Sequence, residues 1–188
     1  VVTPLADRSI AAATTFREAK AMEQDVLHQS PELQRVSCMG LDEFERGVLK
    51  VIRQFLVAHE SPETQAWHHA FLISVERWGE AVGLAAAHGL SKFVKAVLRF
   101  RADGLVFQNP LSTEARDYAT DDEALMMAVL HYMRRDQTSY ARDAVAALTM
   151  GQMDPDVIRT GLSFASRFAA GAGRRDTRSR AAELRVVT

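Results

Sequence analysis

Three times in this chain a small polar residue, a proline and an acid stand in a row: Ser30-Pro31-Glu32, Ser61-Pro62-Glu63 and Asp154-Pro155-Asp156. Each has the chemistry of a helix start. The Ser or Asp oxygen can accept from an orphan backbone N–H, and proline suits the first helical position because its missing N–H has no intrahelical partner there. The acid that follows complements the positive end of the helix dipole. With three of only five prolines placed this way, the chain is punctuated as helices joined by short corners, which predicts an all-α protein.

Helical periodicity fills the intervals. The spacing predicts helices over 7–28, 41–59, 62–88, 91–100, 120–134, 138–150 and 155–170, with a short turn over 31–36. Thr120 and Glu123 form a capping box ahead of Leu125, Met126, Val129 and Leu130. The stretch 62–88 reads as the longest and central helix, its stripe running Trp67, Phe71, Ser74, Trp78, Ala81 and Ala85. Trp67, Phe71, Trp78, Val129 and Leu162 are the expected core. Gly161 and Ala165 would let the last helix approach its neighbours closely. Between 101 and 119 turn residues dominate, and Leu105-Val106-Phe107 should pack down as an extended segment.

These elements predict one antiparallel bundle of about six or seven helices over 1–173, in which the sparsely apolar 7–30 forms a peripheral or swapped first helix. A basic tail, 174–188, follows. At 188 residues and 47% hydrophobic content the chain can bury one core. Leu125, Tyr132, Ala141, Val145 and Leu148 partly resemble a tetratricopeptide unit, but no second unit occurs, and a plain helix pair is the simpler reading.

A net charge of −1 gives no global attraction to nucleic acid or anionic lipid, so anion binding needs local clusters. Two are visible. In 81–101 a glycine corner, Gly89-Leu90-Ser91, precedes Lys92, Lys95, Arg99 and Arg101, and this resembles a helix-turn-helix. His88 and Lys95 depart from that pattern, which wants apolar residues there. The second cluster is Arg174, Arg175, Arg178, Arg180 and Arg185 in the tail, without interleaved aromatics for base stacking; both clusters suit either nucleic-acid phosphates or an acidic partner.

Catalytic signals do not converge. His59, His68 and His69 lie near Glu63, Glu76 and Glu80, but no Glu-x-x-His spacing occurs and the expected helix turns them to solvent. The lone Cys38 has no partner for a disulfide, and no nucleotide-binding glycine loop or serine-nucleophile motif exists. The longest apolar stretches, such as Ala85-Ala86-Ala87 and 124–130, are far below bilayer length, so no membrane-spanning segment is expected. The expectation is therefore a non-enzymatic, cofactor-free, cytoplasmic binding or regulatory protein that acts through helix surfaces on another protein or on itself, with no membrane partner. The alternative is a DNA-binding regulator using Lys92, Lys95, Arg99, Arg101 and the arginine tail. A small-ligand binder or enzyme with a pocket between helices stands third.

Overall fold

A computed structural model describes residues 33–101 and 104–171. The chain divides into Val1–Glu32 and Leu33–Thr188, and all described residues belong to the second unit. The helix expected over 7–28, the triplet at Ser30 and the arginine tail lie outside the described residues.

The unit is all-α, with six helices among the described residues and one two-residue strand pair. Strand β1 (Gln34–Arg35) pairs antiparallel with β2 (Tyr118–Ala119), setting Gln34 against Ala119 and Arg35 against Tyr118. Helix α1 (Glu43–Glu60) starts at a capping box: the Asp42 carboxylate accepts from the Glu45 N–H at 2.8 Å, and the Glu45 carboxylate accepts from the Asp42 N–H at 2.9 Å. Its buried face carries Val48, Val51, Ile52 and Leu56.

The long helix expected over 62–88 does not exist. Pro62 starts only a single 3-10 turn, Pro62–Thr64, and the Ser61 side chain makes no cap there. Helix α2 runs Ala66–Trp78, Gly79 breaks the chain at φ 76°, and α3 runs Glu80–Phe100. The break sits at Gly79 because the two helices fold tightly on each other. A Cβ on Gly83 would stand 2.4 Å from the Ser74 carbonyl oxygen and 2.6 Å from the Val75 nitrogen, so only glycine permits this backbone approach. Ser74, fully buried at that contact, donates its hydroxyl to the Ala70 carbonyl at 2.8 Å.

The seven-residue stripe therefore straddled two helices, and part of the expected core moves outward. Trp67 is 51% exposed, whereas Ala70 and Ser74 carry the buried side of α2. Phe71 and Trp78 are partly buried against the core. Unbroken by a turn at 89–91, α3 is long and apolar enough, by length and composition, to cross a bilayer, although its continuous apolar stretches are short. Ala86, Ala87, Leu90, Phe93, Val94 and Val97 spend that apolar surface inside the core.

Helices α4 (Asp121–Arg134), α5 (Thr138–Leu148) and α6 (Pro155–Arg167) complete the fold. Thr120 and Glu123 cap α4 as expected. The Asp154 carboxylate caps α6, accepting from the N–H groups of Asp156 and Val157 at 2.9 Å each. Val129 is fully buried, while Leu162 is 51% exposed because α6 packs through Val157, Gly161, Phe164 and Ala165 instead. At Gly161 a Cβ would lie 2.7 Å from the Met133 sulfur, the close approach that glycine was expected to allow. The loop before β2 packs down through Leu105, 8% exposed, and leaves Val106 at the surface.

Candidate functional site

The segment that resembles a helix-turn-helix is one uninterrupted helix. Gly89 lies inside α3, where its missing side chain admits the Phe164 ring: a Cβ would stand 3.0 Å from ring carbon Cδ2. Ser91 caps nothing, since its hydroxyl donates to the His88 carbonyl within the helix at 2.8 Å. Lys92, Lys95 and Arg99 are exposed along the outer side of α3. Arg99 faces Asp156 at 3.5 Å. Arg101 is drawn away from solvent and pairs with Asp122 at 3.1 Å. Arg174, Arg175, Arg178 and Arg180 lie outside the described residues.

What the basic side of α3 does border is a groove of about 410 Å³. Phe55 and Ala58 of α1 with Val94 and Leu98 of α3 supply its apolar lining, and Trp67 of α2 stands at its edge. The Trp67 indole meets Phe71 edge-on, with ring centroids 6.5 Å apart, and keeps half its surface in water. His59, Lys95 and Arg99 provide the polar boundary. The elements follow from sequence: α1 and α3 each bury one side at three- and four-residue spacing, and the break at Gly79 swings α2 back so that Trp67 reaches the seam.

The densest convergence of titratable groups lies elsewhere, at Glu45. This carboxylate is fully buried and takes Arg134 at 2.6 Å, His131 Nδ1 at 3.1 Å, the Asp42 N–H, and the Arg135 guanidinium. Arg134 also donates to the Phe168 carbonyl at 2.6 Å and to Asp42 at 3.0 Å, and its guanidinium lies 4.8 Å over the Phe44 ring. Burial pushes the Glu45 carboxyl upward, but the hydrogen bonds from Arg135, Asp42 and His131 and the Arg134 charge outweigh it and hold the group below its ordinary range. Asp42 is likewise held low: burial raises it, and the Glu45 N–H and both arginines pull it down further. A carboxylate saturated by donors is a poor proton acceptor, so this cluster holds the fold and offers no general base.

A second buried carboxylate repeats the design. Glu123, fully buried, accepts from Arg53 Nε at 2.6 Å and Nη2 at 3.0 Å, from the Thr120 N–H at 3.0 Å and from the Gln108 N–H at 3.2 Å. From sequence Glu123 reads only as a cap; Asp42-x-x-Glu45 is a capping signal of the same form and marks the other half.

Cys38 is exposed, beside the Ser37 hydroxyl at 4.0 Å. Among the described residues no group of three His, Cys, Asp or Glu side chains is placed to hold a metal ion. Comparison with family models, with curated proteins and with solved structures finds no match to this chain.

Proposed function

We propose that this chain is a non-enzymatic, cytoplasmic binding protein acting through protein–protein contacts, and that the groove between α1 and α3 receives an acidic amphipathic segment of another protein. The observation that carries the reading is Trp67, a large aromatic left half in water beside an apolar groove. Exposed aromatics of this kind anchor protein interfaces. Charge chooses the occupant: Lys95 and Arg99 border the groove, Lys92 extends the line along α3, and no acidic side chain pairs with Lys92 or Lys95 among the described residues. An amphipathic helix with apolar residues at i, i+3, i+4 and i+7 and acids flanking them matches this arrangement. The cytoplasmic placement rests on the single thiol, unpaired and exposed at Cys38. The duplex-reading alternative has lost the turn on which its geometry depended.

The test is a titration of the full chain with a synthetic helical peptide carrying Leu and Phe anchors flanked by Glu, followed by tryptophan fluorescence. Saturable binding that weakens about tenfold for Trp67→Ala and for Lys95→Glu supports the groove. Equal binding of a peptide with Lys in place of Glu overturns the charge argument. A concentration-dependent dimer in sedimentation, abolished by Lys95→Glu, overturns the acidic partner in favour of a second copy. Duplex DNA binding in the nanomolar range, lost in Lys92→Ala/Lys95→Ala/Arg99→Ala, overturns the reading altogether, since nonspecific contacts reach only ~10⁻⁴ to 10⁻⁶ M at physiological salt.

A further inference from the structure

On another part of the unit, six cations line one cleft of about 440 Å³: Arg35, Arg46, Lys50, Arg53, Arg77 and Arg116. They come from four places in the chain. Arg46, Lys50 and Arg53 recur at four- and three-residue spacing, so they share one side of α1. At about 100° per residue that side is opposite the one presenting Phe55, Ala58 and His59 to the α1–α3 groove. Arg77 arrives on the last turn of α2. The β1–β2 pair closes the ring, because setting Arg35 against Tyr118 brings Arg35 near Arg116, which lies in the 3-10 turn just before β2.

Most of this charge is unanswered among the described residues. Arg53 is committed to Glu123, and Arg77 reaches only the exposed Glu43, at 3.9 Å. Arg35 rests against the Tyr118 ring at 5.5 Å, and Arg46 donates to the Leu41 carbonyl at 3.4 Å. No acidic side chain lies within ion-pair distance of Arg35, Arg46, Lys50 or Arg116 among the described residues. Asp117 is the one acid on the cleft wall among the described residues. In a chain whose net charge is −1, this is a local concentration of positive charge, and it repels itself until an anion enters.

We propose that this cleft is a binding site for a small molecule bearing a diphosphate group, a site independent of the α1–α3 groove. Arginine forks match phosphate oxygens two at a time, and the four unanswered cations less Asp117 leave a surplus of about three charges, close to what two phosphate groups carry near neutral pH. The cleft has a buried floor, since the Arg53 side chain is 3% exposed and Leu49 only 2%. Such a recess admits a compact anion more readily than the continuous backbone of a duplex. Arg53, already held by Glu123, contributes field and shape, while Arg35, Arg46, Lys50 and Arg116 make the direct contacts. Leu49 and Val36 give the cleft an apolar wall against which an organic group attached to the diphosphate can lie.

The test uses the full chain in a phosphate-free buffer, titrated with inorganic pyrophosphate and with ADP while amide resonances are followed by NMR. Saturable shifts at Arg35, Arg46, Lys50 and Arg116, with no comparable change at Lys92 and Lys95, are the expected result. Lys50→Glu/Arg116→Glu, both at exposed positions and so compatible with folding, should weaken pyrophosphate binding by about tenfold or more, whereas Lys92→Glu/Lys95→Glu should leave it unchanged. Lys50→Gln is the milder variant if charge reversal disturbs the fold, and it should still weaken binding. ADP binding more tightly than pyrophosphate identifies the apolar wall as part of the site, and equal affinities assign the recognition to the diphosphate alone. Unsaturable shifts spread over every surface cation would overturn the site. So would a duplex oligonucleotide that outcompetes pyrophosphate and shows the same Lys50 and Arg116 dependence.

Discussion

Replacing Glu123 by Met tests whether the buried arginine–carboxylate pair acts as one desolvated unit. The substitution keeps the length of the side chain and removes four hydrogen-bond acceptances: two from Arg53 and one each from the Thr120 and Gln108 N–H groups. The Arg53 side chain, 3% exposed, then retains only the Tyr118 carbonyl. Breaking a buried pair from one side costs about 3–5 kcal/mol, and two orphaned N–H groups add roughly 1–3 kcal/mol between them. Arg53→Met should cost less, about 3 kcal/mol, because Glu123 keeps both backbone donors. In Arg53→Met/Glu123→Met no unpaired charge remains; the two N–H groups go without partners and the Tyr118 carbonyl loses its Arg53 donor, so the loss should shrink to about 2–4 kcal/mol. The double variant should therefore be more stable than Glu123→Met alone, with a coupling energy of at least about 2 kcal/mol. Urea unfolding with a constant slope measures all four corners of the cycle. Additive losses, with coupling below about 0.5 kcal/mol, would refute the argument that desolvation joins the two side chains.

Acid should unfold the protein through Asp42 and Glu45. Both carboxyls are held below their ordinary range, so between the unfolded and folded values the unfolded state binds more protons; the stability they contribute is present above about pH 5 and is lost as pH falls through 4 and below. Denaturation midpoints across that window should decline, and a curve flat down to strongly acid pH would contradict the cluster's role. Gly83→Ala should destabilise by about 1–3 kcal/mol despite alanine's better helix propensity, because the new methyl meets backbone at 2.4 Å. Gly89→Ala faces the Phe164 ring at 3.0 Å, which can shift by a few tenths of an ångström, and thermal melts should place it within about 1 kcal/mol of the parent. Trp78→Ala should cost about 3 kcal/mol in urea unfolding, since this indole packs on Phe44 with centroids 4.6 Å apart and covers Gly47; a loss below about 1 kcal/mol would mean it contributes little to the core.

The helical class was legible because it rests on local chemistry. Thr120 with Glu123, and Asp154 with Pro155, specify helix starts within four residues, and both occur where the sequence places them. Ser61-Pro62-Glu63 has the same composition and yields only a 3-10 turn, because Gln65 takes a left-handed φ of 53° before α2 begins. Boundaries inside 62–100 were misread for a tertiary reason. Gly79, Gly83 and Gly89 are equivalent as letters, yet one breaks a helix, one admits a backbone and one admits a ring. Only the packing of α2, α3 and α6 distinguishes them. With the break at Gly79, Trp67 turns outward, and with Gly89 inside a helix, the side of α3 borders a groove where the sequence suggested a corner.

The basic cleft was illegible for a different reason: its six cations span residues 35 to 116, and no stretch of sequence containing them is conspicuously basic. One of the six, Arg53, is held by a buried carboxylate, and two such carboxylates fix how α1 meets α4. Glu45 and Glu123 each occupy the third position of a capped helix, each closes its own cap, and each also receives an arginine from the other helix: Glu45 takes Arg134 and Arg135 of the α4 end, and Glu123 takes Arg53 of α1. The contacts follow reverse order along the two helices, which locks α1 against α4 in a single register. Arg53 is bound into that lock and also forms the cleft floor, while its Nη2 holds the Tyr118 carbonyl in β2, the strand that carries Arg116 in from the loop. A residue that looks like one more surface cation in the sequence thus couples the core to the cleft. Loss of Glu123 should for this reason disturb anion binding as well as stability, whereas Gly83→Ala, at the α2–α3 contact, should reduce stability and leave the Arg35, Lys50 and Arg116 arrangement intact.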